Sequence, residues 1–159
     1  MRRGRPDEDW TSGAGRPGAC RRASTAQGPV VSTVLGLGLD VVDLARFARV
    51  HARHGARLER RLCGETPLRA LSGAARSTHL AGLFAAQEAV LKALGTGWAE
   101  GLSPRQVVIT HDPSGAPRVA LTGAARERAA RLGATRIHLS ITHDRGVAAA
   151  VAILEGEPA

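Results

Sequence analysis

The feature that most constrains the fold is the segment STHLAGLFAAQEAVLKALG at residues 77–95, which has the most regular helical pattern in the chain. Its large apolar residues recur at helical spacing, at Leu80, Leu83, Phe84, Val90, Leu91 and Leu94. Ser77 or Thr78 is suited to cap its start, and Gly95 is suited to end it. We therefore expect one long helix, and its apolar face needs a second layer to cover it.

Most of the other patterned segments predict strands. The segment TVLGLGLDVVDLARF at residues 33–47 begins as an apolar run, which we expect to form a buried strand with Asp40 exposed at its end. Residues 106–123 alternate around an Asp-Pro-Ser-Gly turn, a pattern typical of a hairpin. Residues 136–155 predict two further strands joined at residues 144–146.

Shorter helical segments lie between these strands. We expect a helix from about Leu44, a short helical turn at residues 66–72 and a helix over residues 124–132. Because most neighbouring strands are linked by hairpins, the fold class is α+β, with an antiparallel sheet packed against one long and several shorter helices.

The N-terminal segment has a different composition. Residues 1–30 are rich in Gly, Pro, Arg and Ser and have little apolar surface to bury, which is typical of disorder. We predict a disordered extension at residues 1–30, either a basic arm or a passive tail, and a single domain at residues 31–159.

Composition narrows the classes of partner. The net charge of +8 allows a nucleic-acid binder, but only 3% of residues are aromatic and tyrosine is absent, so stacking platforms for bases are missing. We expect an acidic partner and no nucleic acid. The chain has only two cysteines, Cys20 and Cys63, so we predict a cytoplasmic protein without a structural disulfide. It has no apolar run of about 20 residues, so we do not expect it to span a membrane.

Three common catalytic motifs are absent. The Gly-Leu-Gly of residues 36–38 lacks the third glycine of a dinucleotide-binding loop, because Val41 stands there. Leu91 precedes Lys92, whereas a P-loop needs glycine before its lysine. Ser140, His143 and Asp144 are too close along one strand to converge as a hydrolase triad.

The remaining candidates are two carboxylates and a lysine. Asp40 and Glu88, if folding brings them together, would form an oxygen-rich site suited to Mg²⁺ that is bridged to phosphates. Lys92 is the only lysine in the chain and lies four residues after Glu88, on the same helix face.

Simpler interpretations of these positions stay open. Glu88 and Lys92 alone could be an ordinary surface pair, Gly95 a helix cap, and His143 a histidine satisfied within the core. The chemistry therefore depends on the whole set of residues rather than on any one of them.

Four ordered motifs carry a family resemblance. They are GLGLDVVDLARF at residues 36–47, LAGLFAAQEAVLKALGTG at 80–97, DPSGAP at 112–117 and IHLSITHDRGVAAAVAILE at 137–155. In order and spacing the chain resembles the holo-acyl-carrier-protein synthases, which are small 4′-phosphopantetheinyl transferases. The resemblance covers nearly everything from residue 33 onward.

The resemblance implies an activity and roles for three residues. Such enzymes transfer 4′-phosphopantetheine from coenzyme A to a serine of an acyl carrier protein and release adenosine 3′,5′-bisphosphate. It implies that Asp40 and Glu88 bind Mg²⁺ on the coenzyme A pyrophosphate and that Lys92 meets the same phosphates. Glu88 is then the expected base, directly or through water on the metal. A compact ammonium fits against a phosphate where a wider guanidinium would not, which would explain the single lysine.

Further site residues are implied by the same resemblance. We expect Arg46 to bind the acidic helical carrier protein. The expected coenzyme-binding residues, besides Lys92, are Gly95, Thr96, Gly97, His111, Ser140, Thr142 and His143. The family also implies a homotrimer with active sites between subunits, serving fatty acid or polyketide synthesis.

Two positions depart from the family pattern. Leu83 stands where an arginine is usual, and Gln87 stands where a lysine is usual, so two charges expected near the phosphates are missing. Arg76, His111 or an arginine of a neighbouring subunit could compensate, or coenzyme A binding could be weak. An alternative function is therefore a degenerate homologue that binds carrier protein or coenzyme A without turnover.

Overall fold

The computed structural model describes residues 32–64, 70–95 and 101–157. The elements, in chain order, are β1 (Thr33–Asp43), α1 (Leu44–Cys63), α2 (Gly73–Ala93), a 3-10 turn (Pro104–Gln106), β2 (Val107–His111), β3 (Pro117–Leu121), α3 (Gly123–Arg131), β4 (Ala134–Asp144) and β5 (Val147–Gly156). The predicted extension at residues 1–30 lies outside the described residues and stays a prediction.

Both sheets are antiparallel, which confirms the predicted α+β class. Strand β5 lies between β1 and β4 in a three-stranded sheet, and β2 pairs with β3 in a separate hairpin. Helix α2 is the one long uninterrupted helix among the described residues. Helix α1 is interrupted at Gly55, whose φ of 40° and ψ of −122° are not helical. The expectation of one long helix with several shorter ones is therefore confirmed.

Two glycines let α2 lie directly on β1. A Cβ atom on Gly38 would be 1.9 Å from the carbonyl oxygen of Ala89, and a Cβ atom on Gly36 would be 2.1 Å from that of Ala93. Both distances are far inside van der Waals contact, so only glycine permits this approach. The core formed between helix and sheet includes several fully buried leucines, Leu80, Leu91, Leu94 and Leu154.

The start of α2 differs from the sequence prediction. The helix begins at Gly73, and the extended Ser72 (φ −134°, ψ 164°) is its N-cap residue, not Ser77 or Thr78. The apolar periodicity starts only at Leu80 because the first helical turns are partly exposed. Residues 70–72 are not helical, and residues 66–69 of the predicted turn lie outside the described residues.

Strand β1 also differs from its prediction. It continues to Asp43, so Asp40 lies within the strand rather than at its end. Only one face is covered by the described residues, since Leu37, Leu39 and Val41 on the other face are 63%, 56% and 59% exposed. The apolar run predicted a buried strand, but no helix of the described chain covers this second face.

Candidate active site

The close approach of β1 and α2 brings Asp40 and Lys92 into contact. The Lys92 ammonium donates to the Asp40 carboxylate, with a distance of 2.9 Å from Nζ to Oδ1. It also donates to the carbonyl oxygen of Leu39 at 2.9 Å. An ammonium has three donors, and these contacts use two of them. The lysine is therefore held in place at the sheet edge, and its side chain stays 46% exposed to solvent.

Glu88 lies one helical turn before Lys92 on the same face of α2. Residues four apart on a helix have Cβ atoms about 5–6 Å apart. Glu88 is only 8% exposed, and burial of a carboxylate is costly unless it is compensated by other interactions. The structure therefore brings Lys92 into contact with Asp40 and places Glu88 one helical turn from Lys92.

The donor set fits a small hard cation. Two carboxylates, one buried and the other only 16% exposed at its side chain, supply the oxygen ligands that Mg²⁺ prefers. Within residues 32–64, 70–95 and 101–157, no group of three or more His, Cys, Asp or Glu side chains is arranged to hold a metal. An ion held by these two carboxylates would need further ligands from outside the protein's own acidic and histidine side chains.

The end of α2 follows the sequence prediction for Gly95. This residue follows the helix with a φ of 81°, a conformation that glycine adopts without strain. Arg128 of α3 donates from Nε to the carbonyl oxygen of Leu94 at 3.1 Å, which satisfies one of the terminal carbonyls. The predicted role of Gly95 as a helix cap is confirmed. Thr96 and Gly97 lie outside the described residues.

The candidate residues of β4 lie on two different faces of the sheet. His143 pairs with the buried Ala148 and lies on the face that carries α2, as does Asp40. Ser140 and Thr142 lie on the opposite face, because side chains alternate along a strand. On a single chain, therefore, these two hydroxyls do not face Asp40.

A cavity of about 700 Å³ lies beside His143. It is bounded by the N-terminal half of α2, the end of β2 and the turn between β4 and β5, and we call it the histidine cavity after His79, His111 and His143. The rings of His79 and His111 are 6.5 Å apart between centroids, at an angle of 37°. Sequence reasoning missed His79, because a single polar residue within an apolar helix pattern carries no functional signal.

The two departures from the family pattern have different environments. Leu83 lines the histidine cavity. Gln87 is 3% exposed and donates from Nε2 to the carbonyl oxygens of Leu62 at 2.6 Å and Val107 at 3.1 Å. Gln87 therefore ties the end of α1 and the start of β2 to α2. The sequence analysis expected a charge to be missing at this position, and the structure shows a buried amide there that contacts α1 and β2.

Arg76, one of the residues expected to compensate for the missing charges, is already paired. Its guanidinium donates to both carboxylate oxygens of Glu59, at 2.7 Å and 2.6 Å. Hydrogen bonds from Arg76 and then His51 lower the pKa of Glu59 to about 2. Because His51 also contacts Ser77 at 2.8 Å, these side chains fasten α1 to α2 instead of facing a ligand.

Arg46 lies exposed in the first turn of α1, where its backbone N–H donates to the Asp43 carboxylate at 2.7 Å. Arg49 and Arg53 follow at spacings of three and four residues and are also exposed, so they share a helix face with Arg46. The sequence analysis did not single them out, although their helical spacing was a usable signal. This face is suited to an acidic partner.

Comparison with known proteins agrees with the fold. Residues 36–152 match the family model of the 4′-phosphopantetheinyl transferase superfamily, and the chain belongs to this family. A protein of Nitratidesulfovibrio vulgaris named holo-[acyl-carrier-protein] synthase is 43% identical over 122 residues, covering 77% of this chain and 98% of the relative. One from Anaeromyxobacter with the same name is 49% identical over 127 residues, covering 77% and 97%.

Solved structures of synthases with this name have the same fold. The Neisseria meningitidis enzyme matches with a TM-score of 0.67 and 28% identity, covering 77% of this chain and 98% of the other. The Helicobacter pylori enzyme, solved with coenzyme A, matches with a TM-score of 0.61 and 29% identity, covering 74% and 98%. Separately, none of the helices in the described part of the chain is both long enough and apolar enough to cross a bilayer.

Proposed function

We propose that this protein is a holo-[acyl-carrier-protein] synthase, which transfers 4′-phosphopantetheine from coenzyme A to a serine of an apo acyl carrier protein. The products are the holo carrier protein and adenosine 3′,5′-bisphosphate. The observation that carries the proposal is the contact between Asp40 and Lys92, with Glu88 one turn away, in a chain of this superfamily. The coenzyme A complex of the similar Helicobacter pylori enzyme supports the choice of substrate.

The three grouped residues have distinct tasks in this reaction. Asp40 and Glu88 are the residues that would hold Mg²⁺, which neutralises charge on the pyrophosphate when it is bound. Lys92, held by Leu39 and Asp40, places its ammonium against the same phosphates, where charge develops as the bond to the leaving phosphate breaks. We assign to the Glu88 carboxylate the task of accepting the proton of the attacking serine hydroxyl, directly or through a water molecule.

The carrier protein is the proposed partner of the arginine face formed by Arg46, Arg49 and Arg53. Carrier proteins of this kind present an acidic helix, and guanidinium groups pair well with carboxylates. We propose that the partner is the carrier protein of fatty acid synthesis and that the reaction takes place in the cytoplasm. Replacement of Arg46 and Arg53 by Ala should raise KM for the carrier protein and leave KM for coenzyme A unchanged.

The uncovered face of β1 supports a homotrimer. Leu37, Leu39 and Val41 form an apolar stripe that is more than half exposed in one chain, and burial of such a stripe against a second copy is favourable. Association through this face would also bring Ser140 and Thr142 into the subunit interface. Light scattering should give a trimer mass for the wild-type protein and a smaller mass for Leu37→Glu. The control is Val50→Glu, because Val50 is 39% exposed but lies on α1.

Mass spectrometry tests the proposed activity. Purified protein, coenzyme A, Mg²⁺ and apo carrier protein should yield a carrier protein whose mass has increased by one phosphopantetheine group. No increase with any of several carrier proteins, under conditions in which a reference synthase is active, would contradict the proposal. Calorimetric binding of coenzyme A without product would instead indicate the degenerate homologue.

A further inference from the structure

Helix α1 has little apolar packing along the part that carries the arginine face. Within α1, all of which the structure describes, only Phe47 and Leu62 are buried, one near each end. The ring of Phe47 lies 6.1 Å from that of Phe84 between centroids, which anchors the start of α1 to α2. Leu58 is only partly buried against the core. Because apolar burial is what usually fixes a helix to its domain, the middle of α1 depends on other contacts.

The middle of α1 is bent at Gly55. Its φ of 40° lies in the region that favours glycine, and a Cβ atom added there would meet nothing within 4 Å. Backbone conformation, and not lack of space, therefore calls for glycine at this position.

A direct contact spans the bend. His51 and Glu59 lie on either side of Gly55, eight residues apart, and Nε2 of His51 is 2.9 Å from Oε1 of Glu59. Residues eight apart in a straight helix are separated by about 12 Å along its axis, which is beyond the combined reach of these two side chains. The contact therefore exists only because the helix bends.

Two residues of α2 hold this contact in place. Arg76 donates to both carboxylate oxygens of Glu59, at 2.7 Å and 2.6 Å, and Nδ1 of His51 lies 2.8 Å from Oγ of Ser77. The side chains of His51 and Glu59 are only 14% and 19% exposed, so solvent screens these interactions less than it screens a surface pair. We call His51, Glu59, Arg76 and Ser77 the bend cluster, because they join both segments of α1 to α2.

Helix α2 also carries Glu88 and Lys92. The bend cluster therefore fixes the arginine face to the same helix as these two groups. A carrier protein bound to the arginine face must present its serine hydroxyl to the reacting phosphate, and a misplacement of about 1 Å can cost about a hundredfold in rate. The angle between the two segments of α1 thus bears on how the partner is held.

We propose that Gly55 and Glu59 are positioning residues, which set the bend of α1 and so orient the arginine face for the carrier protein. Both act through α1, and neither is assigned a contact with coenzyme A or with the attacking serine. The inference rests on the proposed function, because it concerns recognition of the same partner.

Steady-state kinetics on the full-length protein tests the inference. Glu59→Gln removes the charge that holds the bend, and Gly55→Ala strains the bend itself. Each variant should raise KM for the carrier protein by about fivefold, the loss expected when surface ion pairs with the partner are misaligned. KM for coenzyme A should stay within about twofold of wild type, because the Asp40 and Lys92 contact is unchanged.

Gly64→Ala is the matched control for backbone strain. Gly64 ends α1 with a φ of 57° and a ψ of −125°, close to the values of Gly55, and an added Cβ would likewise meet nothing within 4 Å. Gly64 lies beyond both the arginine face and the bend cluster. Thermal melting should show similar destabilisation of the two glycine variants, whereas only Gly55→Ala should raise KM for the carrier protein.

A double-mutant cycle with Arg53→Ala separates positioning from a general loss of stability. If Glu59 acts through the arginine face, Arg53→Ala should raise KM for the carrier protein by about fivefold in wild type and by less than about twofold in Glu59→Gln. Additive effects, an unchanged KM in either Gly55→Ala or Glu59→Gln, or an equal rise in Gly64→Ala would overturn the inference and leave the proposed function intact. Absence of transfer by the wild-type protein would overturn both.

Discussion

The contact between β1 and α2 at Gly38 gives the sharpest prediction for stability. In Gly38→Ala the new methyl group would lie 1.9 Å from the carbonyl oxygen of Ala89 and 2.6 Å from the backbone nitrogen of Ala93. Both neighbours are backbone atoms, so no side chain can rotate away to make room. Strand and helix must therefore separate, and the separation also moves Asp40 away from Lys92.

The expected cost of Gly38→Ala is large for one methyl group. Overpacking of a well-packed core typically costs 1–3 kcal/mol, and an obstacle made of backbone puts this site at about 3 kcal/mol. For a protein of this size, 1 kcal/mol shifts the melting temperature by roughly 3 °C, so the variant should melt about 10 °C below wild type. Its rate of phosphopantetheine transfer should fall as well.

Gly82→Ala is the matched control. Gly82 lies on the same helix, but its added Cβ would meet only the side-chain Cγ2 atom of Ile141 at 3.3 Å, which can shift. Alanine is also favoured over glycine within a helix by about 1 kcal/mol. Gly82→Ala should therefore melt within a few degrees of wild type. Differential scanning calorimetry measures both variants, and a Gly38→Ala melting temperature equal to that of Gly82→Ala would refute the packing argument.

Three further predictions concern single side chains. Lys92→Arg should lower kcat/KM for coenzyme A by about tenfold or more, because a planar guanidinium cannot take the position of the compact ammonium; wild-type kinetics in this variant would contradict the site geometry. Gln87→Leu should cost about 2 kcal/mol or more in urea unfolding, because it removes the amide donor from the buried carbonyl groups of Leu62 and Val107. Gln87→Lys keeps a donor and should lose less. Because the pKa of Glu59 is lowered in the folded state, its ionised carboxylate stabilises the fold above pH 4.5, and this stabilisation is lost as the pH falls toward 2. The difference in melting temperature between wild type and Glu59→Gln should therefore shrink as the pH falls from 4.5 to 2. A constant difference would argue against the ion pair.

The sequence predicted the elements that have strong local signals. The turn at residues 112–115, the glycine that ends α2 and the hairpin near residues 144–146 are all present, because Gly, Pro and Asp fix local backbone geometry. The pairing of Asp40 with Lys92 was also predictable, since the motif resemblance covered both residues. The turns and the glycine cap depend on short stretches of chain, whereas the contact of Asp40 with Lys92 joins residues 52 positions apart and was indicated only by the resemblance.

Other features depend on packing between distant segments and have no local signal. Gln87 contacts Leu62 and Val107, which lie 25 and 20 residues away in the sequence. The hydrogen bonds by which it links α1 and β2 to α2 could therefore not be deduced from the residues next to it in the chain. The approach of His79 to His111 likewise needs α2 and β2 to be placed together. The exposed face of β1 depends on which elements cover the sheet, which no strand pattern specifies.

Asp40 and Glu88 are proposed to share one divalent cation next to Lys92. Mn²⁺ accepts the same oxygen ligands as Mg²⁺ and can be followed by electron paramagnetic resonance. In the presence of coenzyme A, wild type should bind one Mn²⁺ per active site, and Asp40→Asn and Glu88→Gln should each bind it at least tenfold more weakly. Binding of Mn²⁺ at wild-type affinity by either variant would contradict the shared site.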